Sequence, residues 1–185
     1  MSGVSNQRRQ KPVQSDLPSM READHVANEL CQNALNEARS QLHPLLQNVE
    51  LDRLDQRHEF LPAFKCALEH EVARRLAAWY PDIHAIFRYE ETPMKNTEGW
   101  DGSIHLLVKI PHLSEDVDAL GKMLDCSLVK YLKQLYWQRF QEYQSILTVQ
   151  QVTSNELRHG TGYGAMFYAA YTAPVKVWPV DDQIG

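Results

Sequence analysis

The run Arg158-His159-Gly160-Thr161-Gly162-Tyr163-Gly164 places three of the chain's eight glycines within five residues, directly behind a guanidinium and an imidazole. Glycines so close together let the backbone take φ > 0 and turn N–H groups toward one anion. The chemistry on offer is the holding of a phosphate or a nucleotide. Loops that work this way need a strand before the glycines and a helix after them, whose N-terminus faces the phosphate. Here Ala165 to Tyr171 read as strand, and no Lys-Ser or Lys-Thr pair follows the glycines. Gly160, Thr161, Gly162 and Gly164 are therefore expected to form the turn and first residues of a β-hairpin. An anion site on Arg158, His159, Gly160, Gly162 and Gly164 stands as the alternative.

The other reactive residue types form no comparable pattern. His58-Glu59 and His70-Glu71 lie on one helical stretch, but their separation is roughly 18 Å at helical rise, too far for a shared ion. No His-Glu-x-x-His pattern occurs among the eight histidines, so no metal is expected. The stretch from Glu90 to Gly102 holds Glu90, Glu91, Glu98 and Asp101 without the ligand alternation of a calcium loop. Its Trp100 is expected to fold back on the sheet. Cys31, Cys66 and Cys126 are odd in number and widely spaced, which suits buried thiols rather than a disulfide framework or zinc ribbon. There is no Gly-x-Ser-x-Gly elbow and no cysteine in an electropositive loop. No catalytic residue and no cofactor is therefore assigned.

These residues must be positioned by a chain of 185 residues that carries a formal charge of −5 and is 43% hydrophobic. That composition suits one globular domain, expected in the cytoplasm for want of a membrane-length run or secretory signal, and the acidic balance argues against a surface that binds nucleic acid everywhere. No apolar run is long enough to cross a bilayer, and the polar N-terminus is no secretory signal. Residues 1–19 read as a flexible tail with Arg8, Arg9 and Lys11, and residues 20–185 as a single domain.

Val26, Leu30, Ala34, Ala38 and Leu42 recur every four residues as one face of a helix that ends near Pro44. A second helix from around Asp55 buries Phe60, Leu61, Phe64, Leu68, Val72, Leu76 and Trp79, with Pro62 in its first turn and Pro81 as its stop. The period then becomes two. Ile83, Ala85, Phe87 and Tyr89 are expected to face the same side as Ile104, Leu106, Val108 and Ile110 in a hairpin. Ser114 starts a long helix with the stripe Val117, Leu120, Leu124, Leu128, Tyr131, Leu132 and Leu135. Two more strands follow, at Ile146 to Thr153 and Ala165 to Trp178. The expected fold is α+β: an N-terminal helical hairpin, then ββαββ, with a four-stranded antiparallel sheet and helices packed on one face.

Two features of this arrangement point to a partner. The outer hairpin face would carry Arg88, His105 and Lys109, with His84, around Ile86 and Leu107, a cationic patch with an apolar centre. On the long helix, Val129, Cys126, Trp137 and Phe140 would form a second apolar stripe, about 100–180° from Leu128. That stripe would be covered by the N-terminal hairpin or by a second subunit anchored on Trp137 and Phe140. The sequence thus points to a non-enzymatic interaction or regulatory module that binds a protein partner or itself as a homodimer. Two alternatives are carried with it. One is a nucleic-acid-binding regulator using Arg88, Lys109 and the basic tail. The other is an enzyme that binds a small anion or nucleotide at the glycine run.

Overall fold

The computed structural model describes residues 17–42, 44, 47, 50–54, 59–89, 103–135, 138–169 and 173–179. Helix α1 (Met20–Gln41) starts at a capping box, in which the Ser19 hydroxyl accepts from Glu22 N–H while the Glu22 carboxylate accepts from Ser19 N–H at 2.7 Å. Its buried face is rich in alanine (Ala23, Ala27, Ala34, Ala38), which lets neighbouring helices approach closely. A short turn, α2 (Leu51–Leu54), leads to α3 (Phe60–Trp79), where Pro62 falls in the first turn as its missing N–H requires.

Strands β1 (Ala85–Arg88) and β2 (Ile104–Ile110) pair antiparallel, α4 (Glu115–Gln134) crosses over, and α5 (Gln138–Gln141) follows. Strand β3 (Leu147–Thr153), α6 (Ser154–His159), a 3-10 helix (Gly162–Tyr168) and β4 (Val175–Trp178) complete the chain. The fold is α+β with a four-stranded mixed sheet in the order β3-β2-β1-β4.

The all-antiparallel expectation fails at β2 and β3, which pair parallel from Ile104↔Leu147 to Ile110↔Thr153. The long connection through α4 returns the chain to the starting end of the sheet, and a crossover of that kind joins strands running the same way. The hairpin register also differs by one residue. Ile86 lies opposite Val108 and Phe87 opposite Leu107, so Ile86, not Phe87, faces the main core. Both faces of the sheet are covered, so β2 carries apolar residues at both parities and alternation alone does not choose between them.

The main core lies between the sheet and α3 and α4, and α1 packs across both helices. Polar contacts fix α1 there: Asp24 accepts from the Ser127 hydroxyl at 2.9 Å and pairs with Lys130, and Glu29 accepts from Arg75 at 3.0 Å. The hydrogen bonds from Lys130 and then Ser127 hold the Asp24 carboxyl below its usual range. On the opposite sheet face Tyr89, Leu107 and Val152 form a second cluster, covered by Leu157, Met166 and Phe167. Among the described residues no helix is long and apolar enough to cross a membrane.

Candidate functional site

The glycine run is not a hairpin turn. Thr153 caps α6 in a box with Glu156, and α6 ends at Gly160, which holds the left-handed conformation at φ 61°. The N–H groups of Gly160 and Thr161 both donate to the Glu156 carbonyl, so these amides turn inward rather than toward a ligand. The chain then folds back as the 3-10 helix. At Gly164 the backbone passes so close to α6 that a Cβ would run into the Glu156 carbonyl. This contact seats Phe167 edge-on against Phe87, with ring centroids 4.8 Å apart. The expected strand across Ala165 to Trp178 is thereby reduced to β4, and Tyr171 lies outside the described residues.

Arg158 and His159 are exposed in the last turn of α6, where the terminal carbonyls favour a cation. With Gly160, Ala165 and Tyr168 they line an open hollow of about 370 Å³. Tyr168 is 67% exposed, and its hydroxyl donates to the Leu157 carbonyl at 2.9 Å.

The residues expected on one hairpin face are divided between two. Ile86 is wholly buried in the main core, and Arg88 points the same way, to Glu69 of α3 at 3.5 Å. His105, Leu107 and Lys109 lie on the opposite face, where Leu107 is also wholly buried and the His105 ring lies 5.3 Å from that of Tyr89. The cationic patch with an apolar centre is thus replaced by two buried leaflets of one sheet. Phe140 is likewise in the core, 1% exposed, with its ring 6.1 Å from Tyr143. Its place on the helical wheel of α4 does not hold because α4 stops at Gln134, with Leu135 as its cap. Trp137, Trp100 and the basic residues Arg8, Arg9 and Lys11 lie outside the described residues.

The site that sequence reading missed is the outer edge of β3. Ile104 N–H donates to the Ile146 carbonyl at 2.6 Å. In a parallel ladder successive residues turn their backbone groups alternately to one side and the other. Thr148, Gln150 and Val152 therefore turn toward β2, as the Ile146 carbonyl does, while Leu147, Val149, Gln151 and Thr153 turn outward and the Ile146 N–H, ahead of the strand, donates to Asp125 at 2.8 Å. The outer pair is already clamped: Leu147 N–H donates to Asp125 and Thr153 N–H to Glu156, each at 2.8 Å. Between the clamps, no described residue meets the outward N–H and C=O groups of Val149 and Gln151.

Two hollows flank this window. One, of about 290 Å³, lies between β3 and the α4 stripe of Asp118, Gly121, Lys122 and Asp125. The other, of about 440 Å³, is lined by Leu113, Ser114, Glu115, Glu156 and Tyr163. Asp118 and Gln150 belong to both, so the two hollows meet beside the edge. Gly121 has no side chain where Val149 packs, and this brings β3 against α4. Gln151 fixes the far end: its amide accepts from Ser114 N–H and donates to the Ser114 carbonyl, both at 2.8 Å, and also donates to Asp118. The sequence signals were two adjacent glutamines within a strand and a helix stripe broken by glycine.

Reactive groups are sparse around these surfaces. Burial pushes the Cys31 thiol far above its usual range, and burial followed by the Glu69 carboxylate raises Cys66. Cys126 is exposed. Among the described residues no group of three or more His, Cys, Asp or Glu side chains is placed to hold a metal ion. Comparison with protein-family models, with curated proteins and with solved structures finds no match to the chain.

Proposed function

We propose that the protein is a binding module that takes an extended segment of a partner protein as an added strand on β3. The observation that supports this reading is the clamped window, with the outward backbone groups of Val149 and Gln151 set between Asp125 and Glu156 and bordered by two joined hollows. Strand addition draws affinity from main-chain hydrogen bonds and selectivity from pockets that take alternate side chains. The window supplies the first and the hollows the second. No reacting group is needed.

The test uses short extended peptides N-methylated at alternate residues, in one phase or the other, titrated into the isotopically labelled protein. One phase of methylation removes the peptide donors that would face β3; the other leaves them intact. Binding is expected to shift the Val149 and Gln151 amides and to be lost with only one phase. Equal binding of both phases, or shifts confined to other residues, would overturn the proposal. Because the protein itself is unchanged, no folding defect confuses the result.

A second reading, contact with a phosphate or another anion, draws on Arg158, His159 and Tyr168 around their hollow. It has less to support it, because the neighbouring glycine amides are occupied by the Glu156 carbonyl.

A further inference from the structure

We infer that the segment added to β3 is basic, with lysine or arginine at two positions separated by one residue; this rests on the strand-addition reading. Residues in register across a pair of strands project to the same face, whichever way the added strand runs. Val149 packs on Gly121 of α4, and the Gln151 side chain bonds Ser114 and Asp118, so both point to the α4 side. The partner residues in register with Val149 and Gln151 must therefore project over the α4 stripe.

That stripe and its surroundings are acidic. Glu115, Asp118, Asp125 and Glu156 line the joined hollows, and among the described residues Lys122 is the one cation lining either of them. Asp125 and Glu156 spend one oxygen each on the clamps, which leaves their charge in place. A neutral or acidic segment would meet uncompensated carboxylates, whereas alternate basic side chains would neutralise them. The same argument disfavours a second copy of the chain. Two β3 edges paired about a two-fold axis would bring Asp118 and Asp125 of each copy toward those of the other.

The experiment compares three peptides of alternating sequence, lysine with valine, glutamine with valine and glutamate with valine, by calorimetry at low and high salt. Two partly exposed ion pairs of ordinary strength predict that the lysine peptide binds roughly three- to tenfold tighter than the glutamine peptide. The glutamate peptide should be weakest, and the order should flatten in high salt. In the double variant Glu115→Gln, Asp118→Asn the advantage of lysine should fall toward unity. The amide oxygen that Asp118→Asn leaves in place can still accept from Gln151, so the tie between β3 and the start of α4 is kept.

Equal binding of lysine and glutamine peptides, with the N-methyl phase effect intact, would overturn the basic segment and leave strand addition standing. Absence of any binding or amide shift would count against both. A dimer in sedimentation that Val149→Pro dissolves would assign the edge to a second copy instead. Tighter lysine-peptide binding after Arg8, Arg9 and Lys11 are all changed to glutamine would assign it to the chain's own basic N-terminus.

Discussion

Glu69 is 2% exposed on α3, and its carboxylate has Arg88 of β1 at 3.5 Å and Lys65 at 3.9 Å. A charge so buried is tolerated only with partners, and removing one of them leaves a desolvated carboxylate behind. Arg88 is therefore a structural residue that ties the sheet to α3. Because its own side chain is 42% exposed, water can take up part of the loss. Arg88→Ala is expected to destabilise the protein by about 2 kcal/mol, below the usual cost of breaking a fully buried pair. Urea unfolding should show a lower midpoint at unchanged slope. No change in midpoint would mean that the pair contributes nothing. Sequence alone placed Arg88 beside His105 and Lys109 as surface cations; what separates them is a one-residue register, which reverses the face of every side chain on the strand.

At the scale of elements, α6 and the 3-10 helix work as one plug over the second face of the sheet, and the glycines are what let them close. Gly160→Ala places a Cβ in a left-handed conformation and should cost about 1 kcal/mol. Gly164→Ala drives a methyl into the Glu156 carbonyl, so the two segments must part. It should cost more than Gly160→Ala and should expose Phe167 and Met166, seen as increased binding of a hydrophobic dye. Equal small costs for both would mean the plug yields easily. The helices were legible because their signals are local: a four-residue period, Ser114 at the start of α4, and Pro62 and Pro81 at permitted places; the cap at Ser19 was not, since that residue read as part of the tail, and the Ser114 side chain makes no capping bond. The plug was not. Gly-rich, aromatic-rich segments fit a hairpin as readily as a short helical return, and only the backbone contact of Gly164 with Glu156 separates the two.

For the molecule as a whole, the α+β class and a four-stranded sheet could be read from the chain and the ββαββ order in part, since α6 and the 3-10 helix stand between β3 and β4, but the direction of β3 and the hairpin register could not. Both failures have one cause. A sheet covered on one face announces its register by alternation, whereas this sheet has α3 and α4 on one side and the plug on the other. The parallel pairing of β3 could have been argued from the crossover through α4, since neighbouring strands joined that way run parallel. Among the described residues the edge of β3 follows from that pairing, so the candidate site is a product of topology rather than of any local motif. The partner-facing residues first expected, Ile86, Leu107 and Phe140, are apolar because they are core.

The carboxylates of Asp125 and Glu156 also govern how this protein behaves among many copies of itself. A seven-residue edge strand is long enough to template pairing between molecules, and such edges lead to aggregation unless they are blunted. Two side chains from neighbouring helices occupy its terminal outward amides, so of the four residues that turn outward two, Val149 and Gln151, keep unclamped N–H groups. Asp125→Ala together with Glu156→Ala should release the whole edge, and light scattering should then rise with protein concentration and incubation time. Adding Val149→Pro to the same variant should suppress the growth. On this account the colloidal stability of the fold rests on the two acids that close the ends of one strand.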